Sequence, residues 1–322
     1  MPVRSVLLSV LIASLLFGED AMRAAMGGAV QTSSPAPLPE VTVTAPRPPT
    51  PEELSGNAVS DFIRTHAAPA VVSGQLARWG GGIGRGVGIC PITVGLSPGF
   101  NDFVSARILA VAVSVGAPIQ AAERCRHNVY IVFAADPQNT LKQMVKQDPR
   151  ILGYHYAQQT RDLETVNRPI QGWYLTSTRG ARGDETIDEP NPLLPPESGI
   201  LNQGKHPSGL PGSRLSSSIS SAIVNVVIVV DVNKIEGRPI GAIADYLAVL
   251  TLTQAFATER CGTLPSIMDM MLPNCHEKEA RTGITAGDLA FLRALYKADL
   301  DAVLPLERDS VENSMKRQFK GH

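Results

Sequence analysis

The chain has 322 residues, with 29 Lys and Arg against 30 Asp and Glu, a net charge of −1. That balance leaves no electrostatic footprint for nucleic acid. The length suffices for one sizeable domain with tails, and the 28 Gly and 25 Pro gather in identifiable stretches.

Residues 1–18 carry Arg4 followed by SVLLSVLIASLLFG. One basic residue ahead of about a dozen apolar ones is the make-up of a secretory signal peptide. The run is too short and too poorly flanked to span a membrane. Gly27, Gly28 and Ala29 supply small residues for cleavage after Ala29. Residues 1–29 are therefore expected to be removed, leaving no stable membrane span and a periplasmic or secreted protein. Residues 30–51, rich in Pro, Thr and Ser, read as a disordered linker.

Residues 52–88 read as a helical and glycine-rich approach to the domain. One or two short helices would bury Ala58, Phe62 and Ile63, with Pro69 as a break. The run WGGGIGRGVG at 79–88 precedes a strand instead of opening a helix, which is the wrong context for a phosphate loop. Trp79 is expected to pack against the sheet.

Residues 89–305 read as one globular domain. Strands are expected at 90–96, 128–134, 170–178, 213–221 and 224–232. The last, VNVVIVVDV, is apolar enough to be buried on both faces. Ser97-Pro98 opens a helix to about Val115, with Phe103, Ala106, Ala110 and Val113 as its buried stripe and Gly116 as its stop. Asp136-Pro137 opens a second helix. The strand–helix–strand order fits parallel pairing. Residues 179–212 read as a long surface loop, and 306–322 as a polar tail that frays over 310–322. Residues 239–254, PIGAIADYLAVLTLTQ, form a helix apolar over most of its girth, hence central.

Four cysteines in an exported chain imply two disulfides. Cys90 and Cys125 each stand at the start of a strand, and the two strands flank one crossover helix. Parallel neighbours would bring them within disulfide reach. Cys261 with Cys275 would close the segment containing Met268.

The central helix, then Ser266-Ile267-Met268, then Ile284-Thr285-x-x-Asp288 opening a helix that ends at Leu295-Tyr296, resembles the end of a metzincin-type zinc peptidase domain. In that family the helix carries H-E-x-x-H-x-x-G-x-x-H and a Met turn floors the zinc. Laid on this helix, the three histidine positions fall on Asp245, Val249 and Ala255, and the glutamate on Tyr246. The resemblance implies the scaffold without the zinc motif. The chain also resembles a group of uncharacterised exported alphaproteobacterial proteins, at Arg168-Pro169-Ile170-Gln171-x-Trp173-Tyr174, Ala244-Asp245-Tyr246 and Ile89-Cys90-Pro91. The expected fold is α+β: a mixed, partly parallel twisted sheet with packed helices, metzincin-like.

A hydrolytic zinc needs about three converging protein ligands. No two of the six histidines are four apart on a helix, so neither a metal nor another cofactor is expected. Asp245 on an apolar helix demands a partner, either a backbone group or an arginine inside the fold. The functional reading makes Asp245 and Tyr246 the floor of a remnant cleft, with Met268, Trp173 and Tyr174 around it. No G-x-S-x-G elbow occurs, and paired cysteines leave no thiol nucleophile. The sequence therefore points to an exported, non-catalytic protein of peptidase-like fold that binds an extended peptide or an envelope protein. A hydrolase with an unrecognised site is the alternative. N-terminal sequencing of protein from fractionated cells should begin downstream of Phe17; full-length protein in the cytosol would contradict export.

Overall fold

The computed structural model describes residues 46–80, 88–153, 163–180, 184–188, 217–255, 261–272, 275, 283–299 and 302–320. The expected signal peptide, most of the linker, residues 81–87 of the glycine-rich run and residues 189–216 lie outside them. The fold is α+β, with a mixed, partly parallel open sheet and, among the described residues, six helices.

The sheet is built on β6 (Ile219–Asp231), which pairs with three strands. Parallel to it on one side lie β3 (Val129–Ala134), against 226–231, and the short β1 (Ala77–Trp79), against 221–223. Beyond β3 comes β2 (Pro91–Val94), also parallel. On its other side β4 (Ile170–Gly180) runs antiparallel along the whole of β6, with a register shift between Leu175 and Thr176. β5 (Glu185–Ile187) pairs with the end of β4.

Alternation along β6 explains why its sequence is continuously apolar. Val226, Ile228 and Val230 enter the main core, whereas Val227 and Val229 join a second cluster with Leu141, Ile151, Leu152 and Trp173. β6 takes in the end of the first and most of the second of the strands expected at 213–221 and 224–232, with 213–216 outside the described residues. The expected burial on both faces is present.

The second cluster is covered by α3 (Pro137–Gln147), whose N-cap Asp136 accepts from Asn139 N at 3.1 Å. Among the described residues, the other five α-helices build the opposite layer. α2 (Pro98–Val115) starts and stops where Ser97-Pro98 and Gly116 place its ends, with Gly116 left-handed at φ 78°. Its buried side is Val104, Ile108, Val111, Ala112 and Val115. The expected stripe is one step out of phase, and Val113 is 60% exposed. α2 packs on α4 (Ile240–Leu252), the central helix, in which every residue from 242 to 252 is buried.

Two further corrections concern the ends. α1 (Ala58–His66) forms as expected, but residues 77–79 are a strand, so Trp79 lies within the sheet rather than against it. The expected polar tail is instead a helix, α6 (Leu304–Lys320), which buries Glu307, Val311 and Met315. It packs on α1 and on α5 (Ala286–Lys297).

Glu307 ties α6 to the sheet. Its Oε2 accepts from Leu76 N at 3.0 Å, and the residue is 1% exposed. Burial pushes its carboxyl up to about 7, against the Leu76 N–H and Arg78. The folded chain thus binds this proton more tightly than the unfolded chain, whose ordinary value is 4.5. The resulting stabilisation is full below pH 4.5 and lost as pH rises through about 7. Glu307→Gln keeps an acceptor for Leu76 N without titrating. Melting temperatures from pH 5 to 8 should therefore fall for the wild type relative to Glu307→Gln, with the variant the more stable at pH 8; parallel curves would refute this.

Candidate functional site

Asp245 lies on the first turns of α4 and is 3% exposed. Arg107 of α2 clamps it in a two-pronged ion pair, Nε to Oδ1 at 2.5 Å and Nη2 to Oδ2 at 3.0 Å. Ile284 N donates to Oδ2 at 2.9 Å. The loop before α5 approaches closely: a Cβ on Gly283 would stand 2.9 Å from Oδ2. Both expected kinds of partner, an arginine and a backbone group, are present together. The carboxylate therefore joins α2, α4 and the approach to α5. Tyr246, 7% exposed, is buried beside it in sequence, and burial pushes its hydroxyl up to about 12.

Met268 sits in a 3-10 turn, Ile267–Met271, 6% exposed and part of the main core. The turn opens with a capping box: Ser266 Oγ accepts from Met268 N at 3.1 Å, and Asp269 Oδ2 from Ser266 N at 3.1 Å. A second box opens α5, between Thr285 and Asp288. Asp288 links the two. Its Oδ1 accepts from Ser266 Oγ at 2.6 Å, and its Oδ2 from Ile267 N and Thr285 N, both at 2.9 Å.

His66, at the end of α1, completes this cluster. Its Nε2 is 2.9 Å from Ser266 Oγ, and its Nδ1 is 2.8 Å from Phe62 O, so Nδ1 carries the proton given to that carbonyl. Burial pushes the imidazolium below its ordinary value, against the pull of Asp288 and the Phe62 carbonyl. Ser, His and Asp are thus together, but not as a hydrolytic triad. That chemistry needs a histidine between serine and carboxylate, facing substrate. Here the serine lies in the middle, its Oγ also accepts a backbone N–H, and all three residues are buried.

The C-terminus of α4 explains several aromatic residues. A buried helix end leaves carbonyls that need donors. Thr253 N serves Val249 O at 3.1 Å. Tyr174 OH serves Leu250 O at 2.8 Å, Trp79 Nε1 serves Thr251 O at 2.7 Å, and Tyr296 OH serves Leu252 O at 2.9 Å. Burial pushes the Tyr174 hydroxyl far above its ordinary value.

The expected remnant cleft is not assembled as one site. Asp245, Tyr246, Met268 and Tyr174 belong to the α4 side of the sheet. Trp173 points to the other face, into the cluster with Leu141 and Val229, and gives its Nε1–H to Leu163 O at 2.8 Å. Neighbours on a strand face opposite ways, so one cleft cannot hold both aromatics. A groove of about 210 Å³ lies elsewhere, between α1 and α6, lined by Ile63, Arg64, Leu304, Arg308 and Glu312. It contains none of the candidate residues.

Both expected disulfides are present, Cys90–Cys125 and Cys261–Cys275, each with Cα atoms 5.5 Å apart. His127 Nδ1 stands 3.3 Å from Cys90 Sγ. Cys90, Cys125 and His127 place their ligand-type atoms within 4.8 Å of one another. The disulfide occupies both sulfurs, which a metal would require as thiolates. No family model, curated protein or solved structure matches the chain.

Sequence reasoning missed Arg107, His66 and the bridging role of Asp288. The two boxes were readable as Ser-x-x-Asp and Thr-x-x-Asp. Arg107 and His66 carry no local signal, because their partners are 138 and 200 residues away. Asp245→Ala should destabilise the chain by about 3–5 kcal/mol, because it strands a buried guanidinium. Adding Arg107→Met should recover much of that loss in denaturant melts. A double variant no better than the single would exclude the ion pair as the cause.

Proposed function

We propose that the protein is an exported, non-catalytic binding protein that takes an extended peptide along the outer side of β4. The observation that carries this reading is the open edge of that strand. β5 pairs only with Ser177, Thr178 and Arg179. Among the described residues, no strand pairs with the outer side of β4 over 170–175. An unpaired edge offers main-chain donors and acceptors to an incoming strand. The α4 face of this stretch carries Gly172 and the Tyr174 ring folded over it, with Tyr174 OH 3.3 Å from where a Gly172 Cβ would stand. The opposite face carries Gln171, which accepts from Asn167 N and donates to Thr165 O.

The succession of sheet, α4, Met268 turn and α5 supports a peptidase-like scaffold. The fate of the three aligned ligand positions supports a non-catalytic one. Asp245 is bound to Arg107 and Ile284 N, Val249 is 0% exposed in the apolar core, and Ala255 packs against that core. Two disulfides fit an extracellular or periplasmic setting.

The test is a library of unstructured peptides screened by fluorescence polarisation, followed by N-methylation of the best binder one amide at a time. Strand addition predicts that alternate methylations weaken binding, each by roughly three- to tenfold, since each removes one main-chain hydrogen bond. Equal tolerance at all positions would overturn edge binding. Cleavage of the peptides above blank would instead establish a hydrolase.

A further inference from the structure

We propose that Cys90, Cys125 and His127 form a thiol–disulfide exchange site, opened by a dithiol reductant, in which His127 holds the Cys90 sulfur as it leaves. This goes beyond peptide binding and does not depend on it.

The two sulfurs of this disulfide are not equivalent. Cys90 is 0% exposed at the head of β2, whereas Cys125 lies in an exposed loop. An attacking thiolate reaches the accessible sulfur, and exchange is faster when the departing sulfur is the better leaving group. Here the departing sulfur is the one with an imidazole 3.3 Å away. A cationic or donating neighbour stabilises a thiolate. Arg124 and Arg126 flank Cys125 and, with Glu123 beside them, leave the loop a net positive charge. Accessibility and leaving-group stabilisation therefore fall on opposite sulfurs, in the arrangement that directed attack requires.

The backbone that carries His127 is held in place by its surroundings. Asn128 spans from Gly88 O at 2.9 Å to Cys90 N at 2.8 Å. Gln120 brackets Arg126, accepting from its N at 2.8 Å and donating to its O at 3.2 Å. Tyr130 OH donates to His127 O at 2.9 Å. Gly88, left-handed at φ 79°, lets this strip lie tight on the next: a Cβ there would meet the Ile119 backbone at 2.6 Å.

One thiolate of the reductant attacks Cys125 Sγ and forms a mixed disulfide. The Cys90–Cys125 bond breaks, its electron pair passes to Cys90 Sγ, and His127 Nδ1–H hydrogen-bonds or protonates that sulfur. The second thiol of the reductant attacks its own sulfur in the mixed disulfide and releases Cys125 as thiolate. The reductant leaves as its cyclic disulfide, two electrons poorer, and the protein holds two thiols.

The test uses the full folded chain with both disulfides intact. Wild type and His127→Ala are treated with dithiothreitol, quenched with iodoacetamide at intervals and mapped. Cys261–Cys275 serves as the clock within each molecule. The expected result is that Cys90–Cys125 opens roughly tenfold more slowly in His127→Ala, with the clock unchanged. Brief exposure to glutathione should place the mixed disulfide on Cys125. Equal opening rates in the two proteins, or glutathione on Cys90, would overturn the proposal. In Cys125→Ala, alkylation of Cys90 against pH should inflect below the ordinary value of about 8.5, and return towards it when His127→Ala is added. An ordinary inflection in both would likewise overturn it.

Discussion

The buried C-terminus of α4 is the constraint from which much of the architecture follows. A helix closed off from water at its end cannot leave its last carbonyls bare, since each unmade bond of that kind is costly. Four carbonyls, Val249 to Leu252, are met by Thr253 N, Tyr174 OH, Trp79 Nε1 and Tyr296 OH. The three side-chain donors come from β4, β1 and α5. Orientation of the central helix and placement of those three elements are thus one condition. The chain just beyond adds to it: Thr253 Oγ1 donates to His66 O at 2.9 Å, and Ala68 N donates to Gln254 O at 2.6 Å. Arg78 in turn reaches the carbonyls that end α5, Leu295 and Ala298.

Carboxylates do the corresponding work at the other helix ends. Asp245 binds α4 to α2 and to Ile284 N, Asp288 binds the head of α5 to the Met268 turn, and Glu307 binds α6 to Leu76. Each accepts at least one backbone N–H, which is how a buried carboxylate is made tolerable. Asp245 and Glu307 differ in one respect. Asp245 faces a guanidinium directly, whereas Glu307 faces a backbone N–H, with Arg78 acting only through its field. At Glu307 burial outweighs that N–H and the Arg78 field and raises the carboxyl into the neutral range.

The parts of the fold readable from sequence were those that local pattern determines. β6 and α4 are continuously apolar, so their central position follows from composition. The limits of α2 and α3 follow from Ser97-Pro98, Gly116 and Asp136-Pro137. β1 has three residues and no periodicity to detect; it exists because β6 offers it a parallel edge. α6 was obscured by its charge, although Glu307, Val311 and Met315 recur every four residues on its buried side. A glutamate in an apolar stripe breaks the pattern unless its distant partner, Leu76 N, is known. The Trp173-Tyr174 pair was misassigned to one cleft, although the two-residue period of a strand already separates the rings.

Capping of helix starts also accounts for the segments that resemble a metzincin peptidase. The segments that carry the likeness, Ser266-Ile267-Met268 and Thr285-x-x-Asp288, are capping chemistry in this chain. Ser266 and Thr285 each start a helical segment, and Asp288 holds both starts together. Any chain that turns sharply beneath a buried helix and then begins another meets the same unsatisfied N–H groups, and Ser, Thr and Asp are the usual answer. These segments therefore have a sufficient cause in this fold without a zinc above them. The aligned ligand positions have equally sufficient causes of their own. Asp245 joins three elements, and Val249 fills the core. The Asp245 carboxylate on α4 is thus satisfied within the fold, whereas, among the described residues, no strand pairs with the outer side of β4 over 170–175.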